Sequence, residues 1–338
     1  MKLKLAIALV AVALPLFALS TPASPQADVP TWSVGDSWGM GKKSYDISSF
    51  LNSAYQEMEN LYGFSYSGSG TMDFYLLYKV TGETSSQYTL SLDEGIEIDA
   101  TINMDGSYGG QSVSAAADMT MSILGDGSLN VNKSDLSISG GTLTLDMDVK
   151  VNSSGTSGGM AANVNMTLGA SGTMTVQFDP ALDLFDFPIS VGENWQIETT
   201  MTTSGSMTGS VNIPGYGSET IDVPLNESTE ITITATCTGT TQIQTADGNT
   251  VTAYVIELSG TGANPFITGT TLYYSPEEKF IVSQQIDLAK ALSESMGGST
   301  SELSSYTMGF SSTSEGEELF TASPMTESEV SEAIESIG

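Results

Sequence analysis

A chain of 338 residues that is 39% hydrophobic has enough material for one large β domain or two smaller ones. All nine of its basic residues are lysine and it has no histidine, so its 40 acidic residues leave a net charge of −31. Such a chain repels a nucleic-acid backbone and has no guanidinium fork for phosphate. Nor has it an imidazole base, a Ser-His-Asp triad or a His-ligated metal, which removes most familiar hydrolase mechanisms.

Residues 1–20 read as a secretory signal. Lys2 and Lys4 form the charged start, Leu5 to Leu19 the apolar run, and Ala18-Leu19-Ser20 a small-residue cleavage pattern. This predicts a mature chain outside the cell or in the cell envelope, with envelope components as candidate partners. No later apolar run is long enough to cross a bilayer as a helix. Residues 21–31 are a Pro/Ala/Ser spacer.

The next stretch, Ser33-Val34-Gly35-Asp36-Ser37-Trp38, recurs as Ser190-Val191-Gly192-Glu193-Asn194-Trp195. Each copy has the form of a turn that opens a strand: Gly permits positive φ, the polar pair closes the turn, and Trp is the first large strand residue. We read the repeat as a mark of internal duplication, with one β unit over 32–187 and a second over 188–292.

Within the first unit, Ile47, Phe50, Leu51, Ala54, Tyr55, Met58, Leu61 and Tyr62 fall at helical spacing, which predicts an amphipathic helix over 46–62. From Thr71 to about Ile286 the period is two instead. Ile96, Ile98, Ala100, Ile102 and Met104 alternate with polar residues, as do Leu143, Leu145, Met147, Val149 and Val151. This predicts a mainly β protein of curved antiparallel sheet, one face buried and one wet, either as two related units or as one continuous half-barrel-like sheet. Asp105-Gly106, Asp126-Gly127, Gly140-Gly141 and Asp247-Gly248-Asn249 read as turns between roughly 12 to 16 strands. Residues 293–338 read as a polar linker and acidic tail, in which Val330, Ala333, Ile334 and Ile337 are spaced for a short helix.

Few motifs carry chemistry. The single cysteine, Cys237, excludes an internal disulfide; it alternates with Ile231, Ile233 and Ala235 and reads as a buried structural thiol. Gly155-Thr156-Ser157-Gly158-Gly159 spells a nucleophile elbow, but it lies in a Gly/Ser hairpin of a chain without histidine. Asp179, Asp183 and Asp186, and the pair Asp146 and Asp148, read as solvated carboxylates; no calcium loop is spelled, and no metal or cofactor is expected. Asn132, Asn152, Asn165 and Asn226 are N-glycosylation candidates. Methionine is abundant at alternating positions. With the helix, these residues suggest an adaptable apolar lining made of Phe50, Tyr55, Met58, Met104, Met121, Met147 and Met166.

The two Gly-x-x-Trp turns, the helix that follows the first, the long meander and the late stretch Tyr273 to Val282 together resemble secreted proteins related to the lipoprotein-carrier (LolA/LolB-like) half-barrels. The resemblance implies a curved sheet around an apolar concavity, partly closed by a helix, that holds an acyl chain. It carries over no functional residue. The leading expectation is an exported, non-enzymatic protein that binds a lipid-like ligand. A structural or adhesive surface protein and a carboxylate-based enzyme are the alternatives.

Overall fold

The computed structural model describes residues 27–52, 64–108, 110–157, 160–184, 186–214, 217–262, 270–287 and 319–338. Alternating apolar and polar residues make 76% of the described chain β-strand, since a period of two turns one residue set inward and the other to water. The strands are β1 (Ser37–Asp46), β2 (Ser65–Glu83), β3 (Gln87–Tyr108), β4 (Gln111–Asn132), β5 (Ile138–Ser157), β6 (Met160–Leu182) and β7 (Asn194–Ile213). They continue with β8 (Gly217–Pro224), β9 (Glu227–Gln244), β10 (Thr250–Gly262), β11 (Thr270–Ser275), β12 (Phe280–Asp287) and β13 (Leu319–Met325). Several are very long: the 22 residues of β3 reach about 70 Å.

The sheet does not stay open. Its order is β6-β5-β4-β3-β2-β1-β13-β12-β11-β10-β9-β7-β8, and β6 also pairs with β7. The result is a closed antiparallel barrel of 12 strands, with β8 as a side hairpin on the far half of β7. An expected half-barrel-like curve has therefore closed on itself, which removes the edges that an open sheet would expose. Around the ring, β1 to β6 are six strands, and β7 with β9 to β13 are six more.

The two copies of the Gly-x-x-Trp turn open β1 and β7, the first strand of each set. Gly35 and Gly192 have φ of 102° and 99°, which glycine alone adopts without strain. The Gly35 N–H donates to the Val80 carbonyl and the Gly192 N–H to the Cys237 carbonyl, at the same sequence separation in both copies. Their surroundings then diverge: β1 has 10 residues and β7 has 20.

Three dipeptides that read as turns lie inside strands. Asp105-Gly106, Asp126-Gly127 and Gly140-Gly141 belong to β3, β4 and β5; of the four expected turns only Asp247-Gly248-Asn249 is one. The cause is tight sheet curvature. A Cβ on Gly127 would stand 2.4 Å from the Thr142 carbonyl oxygen, so glycine here permits close approach of neighbouring strands rather than chain reversal.

The end of the chain is also part of the fold rather than a tail beside it. β13 pairs with β1 on one side and β12 on the other and so completes the ring. The helix Glu327–Ile337 then lies on the outer face, with Val330 fully buried against Tyr75 and Leu77 and with Ala333, Ile334 and Ile337 packed beside them. Thr326 and Glu329 form a capping box, and the Glu327 carboxylate accepts hydrogen bonds from Lys79 Nζ at 2.6 Å and Ser37 Oγ at 2.7 Å. A polar linker followed by a few apolar residues looks like a tail in isolation. The docking partners that bury those residues lie some 250 positions earlier.

Candidate ligand-binding interior

One end of the barrel is packed solid. Trp32 lies inside it, its ring centroid 5.3 Å from Trp38, 5.2 Å from Tyr88 and 5.6 Å from Phe280. Both indoles are satisfied: Trp32 Nε1 donates to the Lys279 carbonyl at 3.0 Å and Trp38 Nε1 to the Glu278 carbonyl at 2.7 Å. Leu136, Leu184, Ile189 and Leu225, from the connecting loops, are buried in the same core. These segments plug this end.

Away from the plug the inward residues change. Registers place Ile98, Met121, Val149, Leu168 and Val211 in one row across β3 to β7, and Ile96, Ile123, Met147, Ala170 and Gly209 in the next. In the first of these rows every side chain is only half-buried. An eight-stranded barrel is just filled by its own side chains, and 12 strands enclose more. This half of the interior is apolar, adaptable and not packed out.

The expected lining residues distribute as follows. Met104, Met121, Met147 and Met166 all stand on the inward face and are half-buried. Phe50 is half-buried and packs against the core from the helical stretch 48–52. Tyr55 and Met58, with most of the expected helix, lie outside the described residues.

Apart from Tyr75 and Leu77 under the helix, the outward positions are polar, as Asp99, Thr120, Asp148, Thr167 and Ser210 illustrate; of the two exposed large aliphatics among the described residues, Val34 lies in the turn before β1 and Val164 has the inward parity of Met166 and Leu168. A barrel that spans a lipid bilayer needs an outward apolar band, and this wall is the reverse. Among the described residues no helix is long and apolar enough to cross a membrane.

Sequence reasoning missed one residue in this interior. Glu94 is only 1% exposed, and neither carboxyl oxygen has a hydrogen-bond partner among the described residues. Burial alone pushes it up to about 8, since no neighbouring cation offsets the loss of water. It stands on the inward face, paired with Leu76 of β2 and Gly125 of β4. The signal was in the alternation: Leu90, Leu92, Ile96 and Ile98 share its parity, and Glu94 holds the inward position between them. Gln284 of β12 is a second inward polar residue, 3% exposed, with Nε2 unpartnered between Leu272 and Ala322.

The other candidates lie elsewhere. Cys237 is fully buried, its thiol pushed up to about 11 by burial, which leaves it protonated and unreactive. Asp146, Asp148, Asp179, Asp183 and Asp186 are exposed. An outer groove of about 520 Å³ between β2, β3 and β4 gathers Asp46, Asp99 and Asp118; still, no group of His, Cys, Asp or Glu among the described residues is placed to hold a metal ion. Ser157 of β5 pairs with Met160 of β6, so Gly155, Thr156 and Ser157 of the Gly-x-Ser-x-Gly spelling lie on a strand. Asn152 and Asn165 are exposed and face each other across β5 and β6, and Asn226 is exposed, whereas Asn132 Nδ2 donates to Ser137 Oγ at 2.8 Å. No family model matches the chain, and neither the curated proteins nor the solved structures contain a match to it.

Proposed function

We propose that this is a non-enzymatic binding protein whose barrel interior takes an elongated apolar or amphiphilic, lipid-like ligand. One observation carries the reading: inside a closed barrel with a polar outer wall, the row running through Ile98 and Met121 is apolar yet only half-buried. Surface that a chain of this size would otherwise bury against itself is left for something else to cover. Methionines at Met104, Met121, Met147 and Met166 suit such a role, because an unbranched thioether adapts to varied shapes. The same interior fits an acyl chain, as the resemblance to lipoprotein carriers implies. Two six-stranded sets that each begin with the same turn support an origin by duplication.

Native mass spectrometry of the mature chain from its own host, before and after solvent extraction, tests the reading. A discrete lipid-sized mass that disappears on extraction is the expected result. A bare mass before extraction would overturn it. A structural or adhesive role at the cell surface is then the better reading, favoured by the outer edge of β8, unpaired among the described residues, and its exposed Glu219 and Asp222.

A further inference from the structure

We propose that Glu94 is the polar anchor of the interior and receives the amine head of a hydrophobic amine. The inference rests on the reading of the interior as a ligand site and names the head-group chemistry that site selects.

Along β3, the inward residues on the plug side, Leu90 and Leu92, are 2% and 3% exposed. On the other side, Ile96 and Ile98 are half-buried. Glu94 therefore stands at the floor of the unfilled half, where the packed core ends. Opposite it on β4 there is no side chain: a Cβ on Gly125 would lie 3.6 Å from Glu94 Oε2. Further along the same row Gly172 also lacks a side chain, because a Cβ there would stand 2.3 Å from the Ser206 carbonyl oxygen. No side chain of β4 covers the carboxyl, although neither of its oxygens is open to water.

A buried carboxyl with both oxygens unpartnered costs free energy that a core apolar residue would not, and nothing in the packing requires it. In its ionised form its missing partners are hydrogen-bond donors alone. An ammonium supplies three donors and the opposite charge, whereas a fatty acid would set carboxyl against carboxyl. Among the described groups facing Glu94, the titratable one coupled to it is Tyr78 of β2, which is itself held protonated by burial and by Glu94. No described cation pairs with Glu94, and Lys79 of β2 is engaged with Glu327 outside the barrel. A net charge of −31 also concentrates cations near the protein.

Binding of an ammonium ion to the protonated carboxyl leaves a carboxylate–ammonium pair and releases the carboxyl proton to solvent. The test is calorimetric titration of the full chain, and of Glu94→Gln and Glu94→Leu, with dodecylamine, dodecanol and dodecanoate at pH 7 and high salt, in two buffers of different ionisation enthalpy. Expected are one dodecylamine per chain, release of about one proton, and at least ~10-fold weaker dodecylamine binding in both variants. Dodecanol should bind parent and variants alike, which also shows that the variants are folded. Dodecanol binding with dodecylamine affinity unchanged by Glu94→Gln, or with no proton release, would overturn the anchor and leave the apolar-interior reading standing. Failure of both dodecanol and dodecylamine to bind would overturn the two together.

Discussion

The two halves of the barrel interior use the same alternation to different ends. At the plugged end the inward residues meet partners from loops and from across the ring: Trp38 stacks on Phe280 at 4.5 Å, and Tyr78 meets the same ring at 5.1 Å. At the other end the inward row Ile98, Met121, Val149, Leu168 and Val211 of β3 to β7 is as apolar but only half-buried. Inward direction is a local property of a strand, while burial depends on what stands opposite. The two tryptophans of the repeated turn teach the same lesson. Trp38 is 9% exposed with its Nε1 satisfied, whereas the half-buried Trp195 has an unpartnered Nε1.

Glu94 lies where the halves meet, and its titration is the largest lever on their difference. Its folded value of about 8 stands above the ordinary 4.5. The unfolded chain thus gives up this proton first, and its contribution to stability, complete below pH 4.5, is lost as pH rises to about 8. The loss is at most on the order of 5 kcal/mol. Glu94→Gln is expected to match the parent near pH 4.5 and to be increasingly more stable than it towards pH 8.5, as read by denaturant midpoints. Parallel pH profiles would show that the carboxyl is hydrated.

Removing a ring from the packed end comes next. Phe280→Ala deletes the contact shared by Trp32, Trp38 and Tyr78 and should cost about 3–5 kcal/mol. Equilibrium unfolding followed by tryptophan fluorescence measures it; a loss under about 1 kcal/mol would mean that this end is not a solid core.

Smaller still is the helix on the outer wall. Val330→Ala should cost about 2 kcal/mol, since Val330 is fully buried against Tyr75 and Leu77. Hydrogen exchange should also show faster opening of β13, which joins β1 to β12 immediately before that helix. The smallest effect belongs to the unfilled half. Met121→Ala and Met147→Ala should each cost less than about 1 kcal/mol without ligand, because half-buried side chains leave less behind when removed. A cost as large as that of Phe280→Ala would erase the distinction between the halves.

Much of this was legible in the sequence, for local reasons. The inward placement of Met104, Met121, Met147 and Met166 followed from parity, the buried state of Cys237 from its apolar neighbours, and the short helix at Val330, Ala333, Ile334 and Ile337 from spacing. Other features were misread because a local pattern has more than one use. Dipeptides such as Asp126-Gly127 mark turns in most chains but here let curved strands approach. Glu94 sat in plain view at an inward parity, and an acidic residue at one such position does not show whether it faces water or a sealed wall.

The sequence by itself determined the strand period, the apolar and polar faces, the two Gly-x-x-Trp turns and the absence of Arg and His chemistry, because each depends on composition or on neighbours within a few residues. Only the tertiary structure decided that the sheet closes, that β13 is the strand that closes it, and that Glu94 is cut off from water. Closure is a pairing of strands far apart in the chain, and burial is a property of whatever that pairing brings face to face.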